Sequence, residues 1–474
     1  MKRKVLEKHA EVSLCETPIS VDYKEVPEIT AKDYLDRIDN LWRMPQAQKY
    51  TTIVIYGDRE HFSNIYYFTG YDPRFEEALL ILKKDHTPVI LVGNEGMGYA
   101  EKIPYNIVKV LYQFFGLMGQ STSQSQPLED IFRRYITESE EKVGLIGWKY
   151  YKEEVFRING CITDVPSYLV ETLACVVGRK SIFNATDLLM NSDYGLRHYA
   201  SAKEIIQFEV LGTKISRGVY NTIKNLREGI KEVEASSLLQ IDGEPLCTHP
   251  NLNFGDEHVS LGLNSPQYNM ELKYGMPIGV GYGMRGSNVH KAGMYIRSIR
   301  DLPQGREHYL EEMVKPYFLS IATWYEMMKI GTKFSDIYEM VEEQLDLEKF
   351  NIILNPGHLI HTDEWTHSPF DKSSNVKVHS GHVLQCDYTV SFKSPYLVCH
   401  IEDGLAIGNE ALHKEIRSLA PLCYERIIRR KAFVKEVLNI QLPDEVLPLS
   451  DLPAICFPYM ADVSVVLALE EVSK

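Results

Sequence analysis

Between Asn355 and Phe370 the chain reads NPGHLIHTDEWTHSPF, which places three histidines, one aspartate and one glutamate in sixteen positions. Imidazoles and carboxylates bind divalent metals and move protons near neutral pH, so the stretch has the chemistry of a metal site or of a general-base site. It also has the composition of a solvated polar loop. The elements around it have to decide.

Short apolar runs bounded by turn residues predict strands at 51–56 (TTIVIY), 78–82 (ALLIL), 88–92 (PVILV) and 143–147 (VGLIG). Helix-length stretches at 95–103 and 127–140 lie between them, so an α/β N-terminal domain is expected over 25–185. From about 190 the pattern changes. Ile205, Phe208, Leu211, Ile215, Val219, Ile223 and Leu226 recur every three or four residues, as the buried face of a long helix does. Further helices are expected over 307–329 and 336–347, the second with Ser335 as its N-cap. Segments 276–300 and 382–407 alternate apolar and polar residues like antiparallel strands. An α+β domain is therefore expected over 190–412, to which 413–474 add a closing helix (412–440) and a Pro-rich tail. The run GVGYGMRG at 279–286 lacks the G-K-[ST] ending of a phosphate loop and reads as a glycine-rich strand.

Composition narrows the function classes. A formal charge of −14 disfavours a nucleic-acid partner, and the densest basic run, Arg426, Arg429, Arg430 and Lys431, reads as a solvated helix face. Eight cysteines without a C-x-x-C pair read as reduced thiols, not as a zinc ribbon. The cationic start MKRK is not followed by the apolar core of a signal peptide, and no window approaches the roughly 18–20 apolar residues of a membrane helix. A cytoplasmic protein acting on a small molecule, with no membrane or nucleic-acid partner, is expected.

Four stretches taken together, NPGHLIH, SGHVLQCDYTV (380–390), HIEDGLAIGNEAL (400–412) and FGDEHVSLGLNSPQYN (254–269), resemble the pita-bread family of creatinase, aminopeptidase P, prolidase and methionine aminopeptidase. DREHFSNIYYFTGYDPRFEEALLIL (58–82) is similar to the start of the small N-terminal domain of its creatinase and prolidase branch. The resemblance implies an α/β N-terminal domain, a pita-bread catalytic domain and a homodimer.

In the metallopeptidases of the family, two aspartates, one histidine and two glutamates hold two metal ions. Carried over, the histidine falls on His358, the first glutamate on Asp387 and the last on Glu402; the two aspartates fall on Gly281 and Ala292, which have no side-chain donor atoms. An ordinary dinuclear centre is therefore not expected. A substrate-side histidine is replaced by Gln267, and the second histidine of the catalytic loop corresponds to His367. His290 and Arg297 lie on the strand that lost an aspartate and offer a positive charge where a metal stood. His361, Asp363 and Glu364 are expected in an exposed loop, with His361 a candidate substrate contact.

Three readings follow. A creatinase-like hydrolase would cut a C–N bond of a small, cationic, amide, guanidino or peptide-like substrate without metal, with His358 as acid/base and Asp387 and Glu402 receiving the cation. A mononuclear enzyme would hold one Mn, Fe or Zn ion on His358, Asp387 and Glu402. A binding protein would have lost catalysis altogether.

Overall fold

The computed structural model describes residues 8–20, 26–136, 142–151 and 161–471. The cationic start at 2–4 and the end of the expected helix at 137–140 lie outside the described residues. The chain divides into two compact units, Glu28–His198 and Tyr199–Lys474 together with Met1–Pro27.

In the first unit the strands Val108–Leu111, Val89–Val92, Ala78–Lys83, Thr52–Gly57, Val143–Ile146 and Ile182–Asn184 form one sheet in that order. Thr52–Gly57 is antiparallel to Ala78–Lys83 and parallel to Val143–Ile146. The apolar runs are continuous because both faces are covered: Ile53 and Ile55 enter one core, Val54 and Tyr56 the other. The helix expected over 95–103 is short, Gly96–Tyr99 followed by a 3₁₀ turn over Ala100–Lys102. Gly96 and Gly98 weaken it, and the buried Glu76 carboxylate accepts the N–H groups of Glu95 and Gly96 at 3.1 and 2.8 Å.

The second unit begins with the helix Ala202–Asn225, capped by a reciprocal pair in which Ser201 N donates to Glu204 Oε2 (2.9 Å) and Glu204 N to Ser201 Oγ (3.4 Å). Its expected stripe is buried at Ile205, Phe208, Ile215, Val219 and Ile223. The region 307–329 opens with a π turn at Tyr309–Val314 and continues as an α-helix over Lys315–Met327. Pro316, with no N–H to donate, sits at the change. The next helix, Phe334–Gln344, is entered from Lys333 and not from Ser335. The closing helix is two helices, Glu410–Leu419 and Pro421–Glu436, because Pro421 ends the first and suits the first turn of the second. The strands Lys8–Leu14 and Val465–Glu471 pair antiparallel. Among the described residues no helix is long and apolar enough to cross a membrane.

The basic run on Pro421–Glu436 is not a solvated face. Arg429 is exposed, but Arg426, Arg430 and Lys431 are buried; acids elsewhere in the chain draw in the two arginines, and Lys431 donates to the Asp444 backbone carbonyl at 2.7 Å. Arg430 donates to Glu209 at 2.6 Å and to Asp451 at 2.8 Å, and Arg426 donates to the other oxygen of Glu209 at 2.6 Å. Ser20 Oγ donates to Asp451 at 2.9 Å. Arg430→Ala would leave two buried carboxylates undercompensated and is expected to lower stability by about 3–5 kcal/mol, measured by urea unfolding.

Candidate metal centre

Strand register assembles the centre. Across one sheet of the second unit, His358–Leu359, Val383–Cys386, Tyr396–Ile407, Ser287–Met294, Pro277–Met284 and Leu246–Phe254 follow in that order. His358 stands opposite Gln385, Gln385 opposite Gly404, Glu402 opposite His290, and His400 opposite Ala292. Paired residues share a face and neighbours along a strand alternate. One face therefore collects His358, Gln385, Glu402, His400 and His290. The other carries Lys291 and Asp403, buried and paired at 3.4 Å, with Tyr325 Oη donating to Asp403 at 2.7 Å. Asp387 follows the end of Val383–Cys386.

Four residues bring one donor atom each to within 4.8 Å of one another: His358, Glu364, Asp387 and Glu402. The structure thus joins the three residues expected from the sequence and adds Glu364, which is not in a solvated loop. Two contacts fold its loop back: Thr366 donates to Leu359 O from both N (3.0 Å) and Oγ1 (2.8 Å), and the Trp365 ring stacks on His358 with centroids 4.2 Å apart. His358 Nε2 lies 3.5 Å from both Glu364 Oε1 and Asp387 Oδ2. That separation is too long for a good hydrogen bond. The Nδ1 side is occupied by Leu359 O at 3.2 Å, which leaves Nε2 facing the acids.

The charges in this pocket are strained. Burial alone would drive the His358 proton off, but Asp387, Glu364 and Glu402 outweigh it and raise the imidazole to about 9. Burial pushes the Glu402 carboxyl well up, reinforced by the charges of Asp387 and Glu364. Burial also raises Glu364. For Asp387 burial is overcome by His358, His400 and His290, and it is held below the ordinary range.

His400, which sequence reasoning missed, ties the acids together. Its Nε2 lies 3.3 Å from Glu402 Oε2 and 3.5 Å from Asp387 Oδ1, and its Nδ1 lies 2.8 Å from Thr389 Oγ1. His400 stands two residues before Glu402, so strand alternation was the signal that could have found it.

The positions without donor atoms are occupied by rings. A Cβ on Gly281 would come 2.4 Å from His290 Cδ2, and Ala292 lies opposite His400. The two imidazoles are 5.0 Å apart. Neither supplies the expected positive charge: burial lowers His290 to about 3 and His400 to about 4, so both are neutral at neutral pH. Arg297 is exposed, and its backbone N–H donates to Asp301.

The remaining candidates lie outside the four-residue group. His361 is buried, with Nε2 3.1 Å from Glu204 Oε1 and its ring edge-on to Phe208. His367 accepts the N–H of Leu359 on its backbone carbonyl at 2.7 Å. Gln267 is exposed; its N–H donates to Glu232 (2.7 Å) and its side chain to Ser265 O (3.0 Å).

No family model matches the chain, and no curated protein resembles it in sequence. Solved structures do resemble it. The prolidase from Pyrococcus horikoshii OT3 superposes with a TM-score of 0.58 at 15% identity, covering 79% of this chain and 95% of that one. An Xaa-Pro dipeptidase from Bacillus anthracis gives 0.59 at 10%, covering 80% and 96%. An X-Pro aminopeptidase from Thermotoga maritima MSB8 gives 0.59 at 11%, covering 79% and 95%. The fold is therefore the pita-bread fold preceded by an α/β domain, as the sequence motifs imply.

Two outcomes check this geometry. Gly281→Ala should destabilise by about 1–3 kcal/mol because the new methyl group meets His290 at Cδ2, Cβ and Cα; Cβ and Cα remain in His290→Ala, so that second change should restore little of the loss, as a double-mutant cycle of unfolding energies would read. In chelator-treated protein, His358 binds its proton more tightly when folded, about 9 against an ordinary 6.5. Its stabilising contribution is then full below about pH 6.5 and lost as pH rises through about 9. Thermal melts of wild type and His358→Gln across that window should diverge at low pH and converge at high pH.

Proposed function

We propose that this protein is a hydrolase that cuts a C–N bond in a small amide or peptide-like substrate, around a single divalent ion held by His358, Glu364, Asp387 and Glu402. The observation that carries the proposal is the convergence of four donor atoms within 4.8 Å. Two features of the pocket fit an ion. Among the described residues the buried Glu402 Oε1 has no hydrogen-bond partner, and His358 Nε2 meets carboxylate oxygens only at 3.5 Å. Three carboxylates and one imidazole form an oxygen-rich set suited to manganese, iron or zinc. When bound, such an ion supplies Lewis acidity that polarises a carbonyl oxygen and acidifies water.

The chain's own residues prepare the rest. The contact from His358 Nδ1 to Leu359 O selects the tautomer that offers Nε2 as a donor. His400 lies 3.3 Å from Glu402 Oε2 and so orients the carboxylate with Oε1 left to face the ion. Trp365 covers the His358 ring and keeps water from it. Without an ion the same charge problem is met by protonating His358 and Glu402, so ion binding would release protons.

A second reading is supported by the raised His358: an imidazolium at neutral pH is a ready general acid, as a metal-free creatinase-like reaction needs. Metal analysis of protein purified without chelator separates the two. The single-ion proposal expects about one equivalent, with affinity reduced roughly 10–100-fold in Glu364→Gln, together with hydrolysis of members of a panel of small amides, guanidines and dipeptides. Hydrolysis without metal would transfer the function to His358 as acid. Neither metal nor hydrolysis would leave a binding protein and sink both.

A further inference from the structure

Gln385 is fully buried, and among the described residues neither the nitrogen nor the oxygen of its carboxamide has a hydrogen-bond partner. Buried donors and acceptors are nearly always satisfied, because leaving them unmade is costly. The unsatisfied amide lies on the face of the candidate centre. Gln385 is flanked in register by His358 on one side and Gly404 on the other. Gly404 is two residues from Glu402, and a Cβ there would meet Gln385 Nε2 at 3.2 Å and Oε1 at 3.6 Å. The amide therefore lies over the glycine, on the side that Glu402 occupies. One row further along, Val383 and Ala406 pair and bury with Ile360 and Phe208 in an apolar cluster. Successive rows on one face of a strand are about 7 Å apart. A small molecule whose reacting carbonyl lies among the four donors would carry its neighbouring atoms over Gln385.

We propose that Gln385 is the specificity-determining residue of this site and reads a substrate edge in which an N–H and a C=O point the same way. Nε2 donates to the carbonyl oxygen and Oε1 accepts the N–H. Primary amides, ureas and cyclic cis-amides present that edge; a trans peptide bond does not. The same paired geometry serves glutamine when it reads the edge of adenine. The proposal deepens the hydrolase reading by naming the substrate class, and rests on it for the bond that is cut. The recognition step itself needs no turnover.

The test uses a matched pair of probes, 2-pyrrolidinone and N-methyl-2-pyrrolidinone, which differ in the single N–H. Their binding to the full chain is measured by ligand-observed NMR for wild type and Gln385→Met, with metal present and after chelation, alongside the melting temperature of each unliganded protein. Wild type is expected to bind the N–H form about tenfold more tightly, and the variant to bind both probes weakly and alike. Methionine fills a similar volume without an amide, so the unliganded variant should melt no lower than wild type. If that variant fails to fold, Gln385→Glu, which when ionised retains acceptors but no donor for the carbonyl, should show the same loss of discrimination. The proposal is overturned if wild type binds neither probe or fails to distinguish them, if the variant still distinguishes them, or if Gln385→Met melts several degrees lower, which would reveal a structural partner. Discrimination without metal or hydrolysis would sink the hydrolase reading alone and leave Gln385 standing; metal and hydrolysis without discrimination would do the reverse.

Discussion

Three carboxylates crowded around one buried imidazole form the constraint that the surrounding structure obeys. Like charges at this spacing repel strongly where water is excluded, so the group stands only if protons or a cation compensate it. The strand pair beneath it is organised accordingly. On the site face His290 and His400 remain neutral, and His400 lies within reach of two of the acids. On the opposite face the one acid of the long strand, Asp403, is answered by Lys291 and Tyr325. Neighbouring positions on the same two strands thus solve opposite electrostatic problems, and alternation of the strand keeps them apart.

The loop that delivers Glu364 is also tied to the helix that opens the unit. Glu204 accepts from Ser201 with one oxygen and meets His361 with the other. His361 therefore anchors the loop at its start, while Thr366 anchors it at its end through Leu359. Between these anchors Trp365 lies flat on the imidazole. The fourth donor is placed by contacts that span more than 150 positions along the chain.

Much of this was legible in the sequence, and the exceptions have physical reasons. Continuous apolar runs announced the sheet of Glu28–His198, and the stripe from Ile205 to Leu226 announced the long helix, because burial of a whole face leaves a periodic trace. The gathering of His358, Asp387 and Glu402 was legible only through motifs, since no local pattern reports which strands become neighbours. Glu364 looked like part of a solvated loop because polar composition is the same whether a loop extends into water or folds onto a ring. His400 and Gln385 could have been found by stepping two residues along the strands from Glu402 and Asp387. Arg430 looked solvated because its partners, Glu209 and Asp451, are remote in sequence. The closing helix was expected as one, because its apolar spacing runs on past Pro421, the residue at which it divides.

The pairing of Lys8–Leu14 with Val465–Glu471 has a consequence for how the molecule is made. A strand near the start of the chain must wait for one made more than 450 residues later, and such distant closures are slow steps in folding. During synthesis the edge of Lys8–Leu14 stays open to other chains while the compact unit Glu28–His198 emerges in full. The interval before closure is the period of greatest exposure to aggregation, when a chaperone has most to protect.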